Sequence, residues 1–197
     1  ALPIPQRFSR LYAVRFDPDA TGPVRIPSFR DDASSDTLVR SDALIWRIGE
    51  APVFQAVTPT ARVAIGRIGG TTLRLGDVEL TLDLPRGTWA CVALVSTDRK
   101  PLAESVRVLL AVATRVENTD MAWDVERKTV GREWGGAPVV AYGVPFTLSG
   151  PGLVPRVAAL NPKGERAESI AAAPAGPGWC LTVRPPVRSL WYALERR

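Results

Sequence analysis

The sequence predicts an all-β protein: an antiparallel β-sandwich of jelly-roll or immunoglobulin-like type, with about a dozen short strands and little or no helix. Three observations lead there. Apolar and polar residues alternate with a period of two almost everywhere, as in Val78-Glu79-Leu80-Thr81-Leu82-Asp83-Leu84, the pattern of a strand with one face in a core and one in solvent. Turn formers separate such runs, among them Gly69-Gly70, Gly76-Asp77, Pro85-Arg86-Gly87, Asn161-Pro162-Lys163-Gly164 and Gly176-Pro177-Gly178. Finally, 46% hydrophobic residues in a chain of 197 supply enough apolar area for a core of that size.

In chain order, the first strand is expected at Leu11–Phe16. It is followed by an irregular stretch, Asp17–Asp42, that carries Pro18, Gly22, Pro23, Pro27 and the polar run Asp31-Asp32-Ala33-Ser34-Ser35-Asp36. Residues 1–40 therefore read as an N-terminal strap and a Pro/Asp-rich linker, and residues 41–197 as the sandwich domain. Apolar runs predict strands at Ala43–Ile48 and Val53–Thr58. Alternation predicts Arg62–Ile68, then a hairpin of Thr72–Leu75 and Val78–Leu84 about Gly76-Asp77. Thr88–Ser96 and Val106–Glu117 are longer apolar runs separated by Asp98-Arg99-Lys100-Pro101. A single turn around Pro101–Ser105 is the only helix candidate. Val139–Leu148, Arg156–Leu160, Trp179–Val183 and Leu190–Leu194 complete the set, with Pro and Gly between them.

Composition narrows the chemistry. The chain has no His, which removes Ser-His-Asp and Cys-His mechanisms and His-ligated zinc, copper and non-haem iron sites. Its two cysteines, Cys91 and Cys180, cannot build a thiolate cage; they are expected as reduced, packed thiols, with a single bridge as the alternative. The formal net charge is +5, but the arginines are scattered and no aromatic-interleaved basic motif accompanies them, so no nucleic-acid partner is predicted. The longest apolar run, Val106 to Val116, is broken by Arg107 and Arg115 and is far short of the ~20 residues of a membrane helix, so no membrane partner is predicted either. The opening Ala1-Leu2-Pro3-Ile4-Pro5 reads as a processed product or an excised piece.

The stretch Asn118–Pro138 stands out as a long polar loop between strands that contains Trp123 and Trp134. An indole face stacks on the C–H face of a pyranose ring while neighbouring Asp, Glu and Arg bond the hydroxyls, so this loop is a candidate glycan site with Asp120, Asp124 and Glu133 as polar partners. The alternative is that the rings fold back as a lid over the sandwich. Carboxylates at Glu117, Asp124, Glu126 and Glu133 would also supply the pair that a His-free glycosidase needs. Oxygen ligands at Asn118, Asp120 and Asp124 would suit a structural calcium ion; no other cofactor is predicted. Trp46, Trp89 and Trp179 are expected in the core. Trp191 and Tyr192 are adjacent in a strand and must point to opposite faces, so one of them is expected to be exposed and joins the candidate sugar contacts.

From about Ala43 to Leu194 the chain resembles the C-terminal β-sandwich accessory region that follows the catalytic barrel in large bacterial glycoside-hydrolase-like proteins. The residues that carry the resemblance are Ser41-Asp42-Ala43-Leu44-Ile45-Trp46, Phe54–Ala61, Thr97–Ser105 and Leu109–Arg115. Its densest part is Glu117-Asn118-Thr119-Asp120-Met121-Ala122-Trp123, with Val130-Gly131, Trp134-Gly135, Ala137-Pro138-Val139 and the closing Leu190-Trp191-Tyr192. The resemblance implies a non-catalytic module, carbohydrate-binding or purely structural, beside a catalytic domain of a longer, secreted or extracytoplasmic bacterial protein. Three readings follow: a glycan-binding module, a structural sandwich packed on a catalytic neighbour, and a small carboxylate-based glycoside hydrolase.

Overall fold

The computed structural model describes residues 38–40, 42–125, 129–187 and 189–196. The expected strand Leu11–Phe16, most of the expected strap and linker, and Glu126 lie outside them. The described residues contain sixteen strands and no helix, and every strand pairing is antiparallel.

The architecture is a β-sandwich. Its larger sheet runs β1 (Leu38–Arg40), β2 (Leu44–Arg47), β3 (Val53–Val57), β4 (Ala61–Arg67), β7 (Trp89–Ser96), β8 (Arg107–Ala113), β16 (Trp191–Glu195), β12 (Arg156–Leu160) and β13 (Arg166–Ile170). The smaller sheet runs β14 (Ala172–Ala175), β15 (Gly178–Val183), β11 (Phe146–Pro151), β6 (Val78–Leu82) and β5 (Thr72–Leu75). A two-stranded arm, β9 (Val116–Thr119) with β10 (Gly136–Ala141), belongs to neither sheet.

Alternation places the core. Val92, Leu94, Leu110, Val112, Tyr192 and Leu194 point inward from the larger sheet and meet Leu75, Leu80, Leu82, Phe146, Leu148 and Leu181 of the smaller one. The Phe146 and Tyr192 rings meet edge to face, 5.2 Å between centroids at 78°, a geometry that adds to area burial. Trp179 is fully buried, with its indole N–H donating to the Pro151 carbonyl at 3.1 Å. Gly150 makes room for that ring, because a Cβ there would stand 3.0 Å from Trp179 Cζ2.

Several strands differ from expectation for identifiable reasons. The run Val106–Glu117 breaks at Thr114-Arg115, where the Thr114 hydroxyl donates to the Trp89 carbonyl at 2.7 Å and the chain turns out into the arm. The run Val139–Leu148 breaks over residues 142–145, so β10 belongs to the arm and β11 to the core. β13 and β14 escaped prediction because both are largely exposed edge strands without apolar alternation, and Pro174 is tolerated only at such an edge. The Pro101–Ser105 stretch is a turn, not a helix. Asp98 organises it, accepting the Ser105 hydroxyl at 2.8 Å and the Val106 N–H at 3.1 Å, and these bonds hold its carboxyl below the ordinary value.

The two cysteines are free, as expected. Cys91 faces outward from the larger sheet and Cys180 outward from the smaller one, so the core lies between them and no bridge can form. Burial pushes the Cys91 thiol up.

Candidate functional site

The arm is built from the strands on either side of the long loop. β9 and β10 pair Ala141 with Val116, Val140 with Glu117 and Val139 with Asn118, then skip to Gly136 opposite Thr119. Side chains close the irregular part. The Thr119 hydroxyl donates to the Pro138 carbonyl at 2.7 Å and Asn118 Nδ2 donates to the Trp134 carbonyl at 3.0 Å. Beyond the strands the two segments stay bonded, through Ala122 N–H to Glu133 O at 3.1 Å and Asp124 N–H to Thr129 O at 3.0 Å. Over its described residues the expected long loop is therefore a pair of antiparallel segments bonded to each other.

Two left-handed residues let the segments approach. Asp120 has φ +60° and Gly135 φ +63°; a Cβ on Gly135 would stand 2.1 Å from the Thr119 carbonyl oxygen, so only glycine fits beside Trp134.

Glu117 is the anchor of the arm. Its side chain is only 11% exposed, and both oxygens are engaged: Oε2 accepts the Trp123 indole N–H at 2.9 Å, and Oε1 accepts the Tyr142 hydroxyl at 2.8 Å. Arg115 adds charge from 3.5 Å and lies 4.2 Å from the Tyr142 ring centroid. A carboxylate so occupied is suited to fixing the orientation of Trp123 rather than to exchanging a proton with a substrate. Sequence reading singled out Glu117 and Trp123 but missed Arg115 and Tyr142. The pairing of Val116 with Ala141 is what brings those two, the next residues on each segment, together.

The candidate residues fall into three groups. Trp123, Trp134, Asp120, Asp124 and Glu133 all lie in the arm. Trp134 is 62% exposed and Trp123 37%, so neither is a core residue; Asp120, Asp124 and Glu133 are exposed around them. Trp191 lies elsewhere, 46% exposed on the outer face of the larger sheet. Tyr192 must be removed from the candidates. It is 1% exposed, its hydroxyl donates to the Ser189 carbonyl at 2.9 Å, and burial pushes its pKa up to about 12. A ring enclosed in the core has no face to offer a sugar.

Another expectation needs correction. Trp89 is 52% exposed rather than buried, because it shares its parity in β7 with Cys91 and Val95, while Ala90, Val92 and Leu94 take the core side. Trp46 sits half-buried on that same outer face, and Trp179 alone of the three is enclosed as expected. Among the described residues no group of three or more Cys, Asp or Glu side chains could hold a metal ion.

No family model matches the chain, and no curated protein or solved structure matches it either.

Proposed function

We propose that the chain is a non-catalytic accessory module that binds a polysaccharide or oligosaccharide on the arm, with Trp134 as the main stacking platform and Trp123 as the second. The observation that carries this reading is Trp134 itself, an indole 62% exposed on a backbone fixed by Asn118, Gly135 and the hydrogen bond that the Ala122 N–H donates to the Glu133 carbonyl. Leaving most of an indole in water forgoes on the order of 2–3 kcal/mol of burial, and a rigid mount for it lowers the entropic cost of binding. Aromatic faces beside exposed carboxylates and Arg132 are the combination that a sugar ring recognises: apolar C–H faces for the indoles, hydroxyls for the charges. The resemblance of the Glu117–Trp123 and Trp134–Val139 segments to accessory regions of glycoside-hydrolase-like proteins supports the same reading. It also supports an adjacent catalytic domain as the module's partner in a longer parent protein.

The test is affinity electrophoresis of the chain in native gels containing soluble β-glucan, xylan, mannan or pectin. Retardation by one of them, lost in Trp134→Ala and weakened in Trp123→Ala, is the expected result. Retardation untouched by both substitutions would move the site off the arm, and none with any glycan would end the proposal.

A further inference from the structure

The two sheets treat solvent differently. The outer face of the smaller sheet is polar, as an antiparallel sandwich requires: Thr72 meets Thr81, Thr147 faces Thr182, and Arg74 lies 3.7 Å from Glu79. The larger sheet has no such alternation. Its outward positions are Trp89, Cys91, Ala93 and Val95 on β7, Leu109, Ala111 and Ala113 on β8, and Trp191 and Ala193 on β16. Trp89, Val95 and Trp191 are exposed among the described residues. Strands that are apolar on both faces are the signature of a layer covered on both sides.

The register gives this outer face a pattern of its own. In one row across the strands, Val95 and Leu109 on β7 and β8 lead to Ala193 and Ala158 on β16 and β12, large side chains giving way to small ones. Ala158 lies outside the core cluster although Val157 and Ala159 on either side belong to it, which fixes its outward direction. In the next row the order is reversed, with Ala93 and Ala111 leading to Trp191. At the rim Arg107 of β8 stands beside Glu195 of β16. Each row therefore changes from large to small, small to large, or cation to anion at the same line, the one between β8 and β16.

We infer that a second copy of this chain packs on this face, about a two-fold axis that lies in the interface and runs along the strands between β8 and β16. Such an axis sets each side chain against the second copy's equivalent of its own neighbour across the line. Trp191 then lies over Ala111 of the second copy, Leu109 over Ala193, Val95 over Ala158, and Arg107 against Glu195, each contact occurring twice. Bulk meets a gap and cation meets anion, as aligned sheet packing requires of facing layers. Glu195 also bonds Arg166 of its own chain, and Arg156, beyond it in the row, would face the neutral Thr97. From β4 to β13 the paired area is six strands wide and four outward rows deep, roughly 24 Å by 20 Å, or about 500 Å² on each copy. The total of about 1,000 Å² reaches what a specific interface needs and falls well short of an obligate one, so the dimer is a reversible one. The inference does not depend on the glycan reading, because Trp123 and Trp134 lie in the arm, outside the larger sheet.

Sedimentation equilibrium of the full chain over about 1–200 μM tests it. The expected result is a monomer–dimer equilibrium, weakened at least about tenfold by Arg107→Glu alone and by Glu195→Arg alone. Equimolar mixing of those two variants should restore the parent affinity to within about threefold, since both pairs between the copies again join opposite charges, whereas a contact within one chain is not repaired by mixing. Ala111→Glu, which sets a carboxylate under the second copy's Trp191, should leave only monomer; the mixing result keeps the question decidable if that variant does not fold. A parent chain that is monomeric throughout overturns the inference. Alkylation of Cys91 by a maleimide in Cys180→Ser then tells an open face, where it is fast, from one covered within its own chain, where it is slow. A dimer that the two charge variants leave unweakened, or that mixing does not restore, overturns it as well and puts the interface elsewhere.

Discussion

Replacing Glu117 with Ala should loosen the arm and leave the sandwich intact. The carboxylate is 11% exposed and accepts two charge-assisted hydrogen bonds, from Trp123 Nε1 and the Tyr142 hydroxyl. Such bonds contribute about 1.5–3 kcal/mol each when little water can replace them. Trp123 is 37% exposed and recovers part of its bond from solvent, and Arg115, at 48%, contributes little through its 3.5 Å contact. A net local loss of about 2–3 kcal/mol is therefore expected, which is roughly a 30- to 150-fold change in the opening equilibrium of the arm. Amide hydrogen exchange measures it directly. The Ala122 and Asp124 amides, which donate across the arm to the Glu133 and Thr129 carbonyls, should lose that much protection. Leu110 and Leu181, in the two sheets, should keep theirs. Unchanged protection at Ala122 and Asp124 would refute the anchoring role; equal losses in arm and core would refute the independence of the arm.

Further predictions address the same geometry. Gly135→Ala combines a left-handed φ with a Cβ 2.1 Å from a carbonyl oxygen. It should open the arm by at least about 1–3 kcal/mol, read by the same amide exchange, and abolish retardation by glycan. Tyr192 has a folded pKa raised from about 10 to about 12, so the stability tied to its neutral form is complete below pH 10 and is lost as pH rises from 10 to 12. Two units correspond to at most roughly 3 kcal/mol. Denaturant midpoints in that window should fall steeply for the parent chain and much less for Tyr192→Phe. Asp98 has a lowered folded pKa. Its contribution is present above the ordinary carboxylate pKa and disappears as pH falls through the folded value. Asp98→Asn should therefore lower the melting temperature at pH 7 and converge with the parent chain as the pH drops well below 4.

The sequence displayed the sandwich because alternation is a local signal: the hairpin of β5 and β6 about Gly76-Asp77 reads directly from Leu73 to Leu82. It displayed Trp191 and Tyr192 only as a pair, since parity demands opposite faces without saying which is which. The buried one is settled by Phe146, which comes from the other sheet. In β7 the signal failed, because both parities are apolar and nothing local distinguishes the Trp89 side from the Ala90 side. The core around Trp179 was legible from its apolar strand. β13 and β14 were not, because edge strands lack a buried face to leave a pattern. In the arm, Trp123 and Trp134 were visible as unusual residues, whereas the role of Glu117 depends on Tyr142, twenty-five residues away, and on a pairing that only the fold creates.

The central claim, that Trp134 and Trp123 together receive a sugar, is tested most directly by the six indole N–H signals of the chain in a nitrogen-correlated NMR spectrum. Titration with an oligosaccharide of whichever glycan retards the chain should shift the Trp134 and Trp123 signals and leave those of Trp46, Trp89, Trp179 and Trp191 in place. Shifts at Trp89 or Trp191 with none at Trp134 would contradict the account.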